Sequence, residues 1–251
     1  MGLTIIKFAV INNKGGVGKS TVSVQIAHGI AVKGFRTLLI DLDGQNDSSM
    51  FLGFTQDDYN KSFFDLIDSK KHYKLEDCIV KARENLDLLP SMHIDQINLE
   101  FYRYPKIDNL LKQILKGLEQ MNYDYIIIDC GPQRTKINDA VLCYVDKIIL
   151  PVQVEAASVR AIGNMYEYLA DLRLSPDMIS VVIPNMFDQR TIDSRENLEF
   201  LRQFFSGNDI LSEPIHRRIK VTEAGKMGKT VFEYDNEAAN QFSSIIERLI
   251  G

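Results

Sequence analysis

No apolar run in the 251 residues approaches the roughly 18 that a membrane-spanning helix needs, so the chain does not read as a membrane protein. The N-terminus passes almost at once into a strand pattern, without the basic, apolar and small-residue order of a signal peptide, so export is not expected. Ile6 stands where a myristoylation signal needs Ser or Thr, which excludes that anchor. Cysteine is scarce: Cys78, Cys130 and Cys143 are odd in number and lack metal-ligand spacing. They fit reduced, mostly buried thiols of a cytoplasmic protein and exclude a disulfide framework. Positive charge is not in excess, with 29 Lys and Arg against 34 Asp and Glu and a net charge of −5. Any contact with nucleic acid must therefore come from a local patch. There is no internal repeat, low-complexity run or linker. What remains, 45% hydrophobic and 25% charged, suits one large α/β domain spanning residues 1–251.

The rest of the chain is organised around Lys14-Gly15-Gly16-Val17-Gly18-Lys19-Ser20-Thr21, entered from the apolar run Ile5 to Ile11. A β-branched and aromatic run, a glycine-rich turn and a helical pattern read as strand, loop and helix. Three glycines within four residues let consecutive N–H groups converge on one anion, and the helix adds the positive end of its dipole there. Lys19 is then set to reach the β- and γ-phosphates of a nucleotide, and the Ser20 hydroxyl to ligate Mg²⁺. The general pattern G-x-x-x-x-G-K-[ST] has a glycine where Asn13 stands, and Lys14 is an additional lysine at the loop entrance.

Further on, Thr37 to Leu42 and Tyr125 to Ile128 are uninterrupted apolar strands ending in Asp41 and Asp43 and in Asp129. Val145 to Val154 and Met178 to Ile183 are two more, and helical patterns separate them. Such strands belong to a parallel sheet covered on both faces, with the ligand at their carboxyl ends. Paired aspartates after a strand also cap helices; following a phosphate loop, metal and water chemistry is favoured. Asp129 has the position of the carboxylate that holds Mg²⁺ while the ion bridges the β- and γ-phosphates. Between residues 51 and 120 the pattern is weaker. It gives a short helix near Phe63–Ile67, a short strand at Leu86–Leu89 and an amphipathic helix from Ile107 to Leu118. Tyr102-Arg103-Tyr104 reads as a solvated loop in preference to a base-stacking platform. A last helix runs from Glu237 to Ile250.

KGGVGKST with its extra lysine resembles the deviant Walker A box of the ParA/MinD family of ATPases, and the resemblance continues through most of the chain. DLDGQND resembles the family's D-x-D-P-Q-G-N, with Gly44 in place of proline and Asp47 in place of asparagine. Asp129-Cys130-Gly131-Pro132 stands for D-C-P-P, followed by Gln133-Arg134-Thr135 in the switch II region. Pro184 to Thr191 resembles the nucleotide-base loop, and Ile215 to Ala224 resembles I-P-R-x-V-x-x-x-E-A with His216 in place of proline.

The resemblance implies a P-loop NTPase fold, a doubly wound, mostly parallel sheet of seven or eight strands with helices on both faces. It implies that Gly15 to Thr21 bind ATP or ADP with Mg²⁺, and that Lys14 reaches the partner's phosphates across a nucleotide-sandwich homodimer. By the same pattern Asp43 orients the attacking water, with Gln45 a further contact, and Asp41 sits near the metal with Ser20 and Asp129. Asn185, whose amide can donate to and accept from a purine edge, is assigned to adenine. Arg190, Arg217, Arg218 and Lys220 are where partition ATPases hold duplex DNA without sequence preference; ordinary solvated basic residues are the alternative.

The expected function is an ATP-driven, nucleoid-associated switch that segregates DNA, with hydrolysis stimulated by a ParB-type partner. Positioning a protein cargo is a second possibility. A MinD-type membrane regulator would carry a basic amphipathic tail beyond the last helix, and none is seen. No helix-turn-helix extension precedes the first strand. An iron–sulfur carrier would need paired cysteines that the spacing does not provide.

Overall fold

The computed structural model describes residues 5–67 and 73–251. Its strands are β1 (Ile6–Val10), β2 (Thr37–Leu42), β3 (Val80–Arg83), β4 (Leu86–Leu89), β5 (Tyr125–Cys130), β6 (Lys147–Gln153) and β7 (Ile179–Asn185). Among the described residues these seven form one sheet in the order β3-β4-β2-β5-β1-β6-β7. Every pairing is parallel except β3 with β4 at one edge. The period-2 alternation of each strand divides its side chains between two apolar layers. Ala9, Leu38, Ile40, Ile126 and Ile128 face one layer; Phe8, Val10, Leu39 and Ile127 face the other.

The helices that cover these layers are α1 (Lys19–Val32), α2 (Asp47–Phe51), α3 (Phe63–Ile67), α4 (Ile94–Tyr102), α5 (Leu110–Ile114) and α6 (Lys136–Tyr144). They continue with α7 (Ser158–Asp171), α8 (Ile192–Phe204), α9 (Ile219–Lys226), α10 (Val231–Tyr234) and α11 (Asn236–Ile250). In α11, Phe242, Ile245, Ile246 and Leu249 recur at helical spacing and join α1's Val22, Ile26 and Ile30 in one layer. Tyr168 of α7 and Phe101 of α4 anchor the opposite layer.

Two local departures from the sequence pattern have clear causes. The apolar periodicity from Ile107 to Leu118 predicts one helix, but α5 ends at Ile114 and Gly117 takes φ +108° before a short 3₁₀ turn at Leu118–Gln120. Leu110, Leu111, Leu115 and Leu118 are all buried regardless, so the periodicity marks burial and overstates helix length. Helix α4 and strand β3 were not expected; β3 is a short, charged edge strand, which is how sheet edges are blunted. Tyr102 closes α4 and, like Tyr104, is exposed, in keeping with a solvated segment. Among the described residues no helix is long and apolar enough to cross a membrane.

Candidate functional site

The end of β1 runs into the glycine loop, where Gly16 and Gly18 adopt φ +74° and +86°. A side chain there would be strained, and Gly18 as the N-cap of α1 leaves the first-turn amides without a side-chain acceptor. The loop therefore closes on a set of free N–H donors at the positive end of a helix. Asn12 holds its base: its amide donates to Pro151 O at 2.8 Å and accepts from Lys14 N at 2.9 Å. Lys19 is buried, with Nζ 3.4 Å from Lys14 O, and Ser20 is buried beside it. The cleft over the loop encloses about 540 Å³. Its walls include Gly15, Gly16 and Gly18 to Thr21 of the loop, Asp43, Gln45, Asp47 and Phe51 of the β2–α2 segment, and Gly131 to Gln133 after β5.

Asp41 and Asp129 lie opposite each other on neighbouring strands β2 and β5. Both are fully buried, and burial pushes both carboxyls up; Asp129 raises Asp41 further, and Asp43 raises Asp129. The sequence did not disclose what compensates them. Ser49 N and Oγ donate to Asp41 Oδ2 at 2.8 and 2.6 Å. Ser48 Oγ and Ser23 Oγ donate to Asp129 at 2.7 and 2.9 Å. Helix α2 is thus pinned to both strand ends by consecutive serines, directly behind Asp43, whose Oδ1 accepts from Gln45 N at 3.1 Å. Asp47 is also pushed up, by burial and then by Asp43.

Among the described residues no three or more His, Cys, Asp or Glu side chains form a self-contained metal cage. The hydroxyl of Ser20 lines the cleft, and the carboxylates of Asp129 and Asp41 lie fully buried behind its wall, with Asp41 accepting from Ser49 and from Asp43 N; together they are hard-oxygen groups crowded with negative charge. That chemistry fits Mg²⁺, which keeps waters and borrows phosphate oxygens instead of requiring an all-protein cage. The three cysteines do not come together as a ligand set: Cys78 and Cys130 are buried and Cys143 half-buried, all free.

The two lysines of the loop point to different ends. Lys14 Nζ makes an ion pair with Glu155, just before α7, while Lys19 stays with the loop. Arg134 is not a free surface charge: it donates to Asp171 at 2.7 Å and lies 4.1 Å over the Tyr168 ring, tying the segment after β5 to α7. Asn185 is buried at the end of β7 and its amide is occupied by protein: Nδ2 donates to Val17 O at 2.8 Å and Oδ1 accepts from Met186 N at 2.9 Å.

The basic residues meet at a second cleft of about 370 Å³, lined by Asp188, Arg190 and His216 to Lys220 among others. Backbone bonds Phe187 N to Ile215 O and Arg217 N to Phe187 O, at 3.0 and 2.9 Å, hold the two loops side by side. Three of the four cations are paired within the chain: Arg190 with Asp188, Arg218 with Glu237 and Lys220 with Glu223, at 2.7, 2.7 and 3.0 Å. Arg217 makes no ion pair among the described residues. The patch is therefore much nearer neutral than its sequence suggests.

Residues 4–179 match the AAA_31 family, described by its AAA domain. The chain is 32% identical over 238 residues to the sporulation initiation inhibitor protein Soj of Bacillus subtilis, covering 90% of each chain. It is 27% identical over 237 residues to the chromosome partitioning protein ParA of Caulobacter vibrioides, covering 92% of this chain and 88% of that one. Among solved structures, an ATP complex of Cyanothece McdA superposes with a TM-score of 0.84 at 21% identity, over 98% of this chain and 96% of that one. Cobyrinic acid a,c-diamide synthase of Mycobacterium smegmatis, with an ATP analog and magnesium, gives 0.77 at 24% identity, over 98% and 95%. At such identities the two structures speak for the fold alone, which serves more than one chemistry. The sequence relatives and the lysine-bearing loop decide further: the chain belongs to the ParA family of P-loop ATPases.

Proposed function

We propose that the protein is an ATP-dependent dimerising switch for DNA partition, in which nucleotide state controls non-specific DNA binding. The observation that carries this reading is the division of labour between the two lysines. Lys19 is buried against its own loop, whereas Lys14 is directed out of it to Glu155. A lysine at the loop entrance adds little for phosphates that Lys19 already serves; across a two-fold seam it neutralises charge on the partner's nucleotide.

When bound, Mg²⁺ draws charge from the β- and γ-phosphates. Ser20, Asp129 and Asp41 would hold it, directly or through water. The loop amides and Lys19 fix the triphosphate, and Asp43 orients the water whose oxygen attacks the γ-phosphorus as the bond to the β-phosphate oxygen breaks. The products are ADP, phosphate and a proton. Slow turnover awaiting a ParB-type partner suits a switch. DNA contact falls to Arg190, Arg217, Arg218 and Lys220, and only a dimer would double so weak a patch into useful avidity. Positioning of a protein cargo would use the same nucleotide cycle with a different outer surface.

Light scattering coupled to size exclusion, with ADP, ATP, and ATP plus duplex DNA, tests the reading. The expected result is a monomer with ADP, a dimer with ATP and a DNA-bound dimer in the third condition. Asp43→Ala should give a long-lived ATP dimer with stalled hydrolysis; normal turnover would move the water-orienting role elsewhere. Lys14→Ala should bind nucleotide and remain monomeric. Full ATPase activity in a monomeric Lys14→Ala protein would contradict the sandwich dimer.

A further inference from the structure

The strand order fixes which way a nucleotide runs through the cleft. β1, which feeds the phosphate loop, lies between β5 and β6. Asp41, Asp43 and Asp129 stand at the ends of β2 and β5, on one side of the loop. Chemistry at the terminal phosphate belongs with those carboxylates, so sugar and base extend to the other side, toward the ends of β6 and β7. Met186, immediately after β7, lines the cleft there.

Asn185, the residue before it, is built into the loop instead. It is 6% exposed. Its amide joins Val17 O to Met186 N, and its own carbonyl accepts from Val154 N at 3.1 Å, which ties β7 to the end of β6. Gly18 sits against this amide so closely that a Cβ there would lie 2.4 Å from Asn185 Nδ2. The loop and the asparagine are therefore fitted to each other at the residue where the free amides of α1 begin. Met186 adopts φ +58°, a left-handed conformation uncommon outside glycine, and its Cε lies 3.5 Å from where a Gly18 Cβ would be. This turn leaves a polarizable thioether on the cleft wall beside the loop.

We infer that Asn185 is a positioning residue that bolts the phosphate loop to the end of β7, and that the adenine base is faced by the Met186 side chain instead of the Asn185 amide. The inference rests on the cleft being an ATP site. Its test is titration of wild type, Asn185→Asp, Asn185→Ala and Met186→Ala with ATP, GTP and inorganic tripolyphosphate, each with Mg²⁺. Asn185→Asp keeps shape and the acceptor for Met186 N but sets an oxygen against Val17 O. It should weaken all three ligands alike, by about tenfold or more, and leave the ATP-to-GTP ratio at its wild-type value. Asn185→Ala should do the same if the aspartate variant fails to fold. Met186→Ala should leave tripolyphosphate binding unchanged and weaken ATP by roughly fivefold, the scale of a lost apolar contact. A changed ATP-to-GTP ratio in the Asn185 variants, with tripolyphosphate binding intact, would overturn the positioning role. Equal weakening of all three ligands by Met186→Ala would overturn the base contact. Wild-type protein that binds neither ATP nor tripolyphosphate would overturn the ATP site itself, and the inference with it.

Discussion

Asp129 is held by two serine hydroxyls and buried beside a second carboxylate, an arrangement with a cost in the absence of a cation. A carboxyl whose folded pKa lies above its unfolded value binds an extra proton in the folded state. Its contribution to stability is full below the ordinary value of 3.8 and is lost as pH rises, through about 7 for Asp41. The metal-free protein should therefore melt lower at pH 8 than at pH 6 in EDTA. Asp129→Asn, whose amide can donate to the rotatable serine hydroxyls, should flatten that profile and raise Tm at pH 8. The rise should be roughly 2–4 °C for each kcal/mol of repulsion relieved. His28, held down by burial, contributes the opposite slope, but equally in both proteins. The difference between the two melting profiles isolates the carboxylates; identical profiles would remove the strain argument. Catalysis should be lost in the same variant. At this scale the sequence disclosed the carboxylates, because each ends an apolar strand. It hid Ser23, Ser48 and Ser49, since a hydroxyl on a helix has no pattern until α2 folds back over β2 and β5.

Elements were legible where burial is continuous and illegible where it is shared out by loops. β1, β2, β5, β6 and β7 read directly from apolar runs, and α1 and α11 from helical periodicity, because buried positions recur through the length of each. β3 and α4 have few buried positions, and the packing that orders them comes from distant segments. One such junction joins the nucleotide side of the molecule to its basic side. Phe51, on the cleft wall, lies 3.1 Å from a Cβ built on Gly225 of α9. Just beyond, Arg83 donates to Leu52 O and Gly228 O at 3.2 and 2.8 Å and pairs with Glu233 at 2.7 Å. The loops after α2 and α9 meet backbone to backbone: Gly228 has φ +63°, and a Cβ there would stand 2.5 Å from Gly53 Cα. Neither backbone can yield as a flexible side chain does. Gly228→Ala should cost about 1–3 kcal/mol, the scale of backbone strain, and lower Tm accordingly. An unchanged Tm would mean that the two loops separate freely and that the junction transmits nothing.

For the molecule as a whole, the acidic balance sets the terms for the proposed contact with DNA. The run Arg217-Arg218-Ile219-Lys220 reads as a basic patch in sequence; the counter-ion of Arg218, Glu237 from α11, is invisible there because folding brings it in, whereas Glu223 for Lys220 and Asp188 for Arg190 stand within three residues of their partners. Exposed ion pairs of this kind contribute only about 0–1 kcal/mol each, so phosphates can displace them, but the carboxylates remain nearby and repel the duplex. Arg217 is the exception, free of an internal ion pair among the described residues and set between the two loops. Each phosphate neutralised steepens the log–log salt dependence by about 0.9. In a two-fold dimer Arg217→Ala should therefore flatten that slope by about 1.8 and leave ATP-dependent dimerisation intact. Replacing Arg217, Arg218 and Lys220 together by alanine should abolish binding, since it also strands Glu237 and Glu223 as uncompensated negative charge. Glu237→Gln should act in the opposite sense, tightening binding by freeing Arg218 while removing one repulsion. Anisotropy titrations on two unrelated duplexes at two or more salt concentrations check all three outcomes. Equal affinity for both duplexes would support contact through the phosphate backbone. Binding unaffected by the triple substitution would move the DNA surface off this cleft. A wild-type protein that binds no duplex in any nucleotide state would favour a protein cargo.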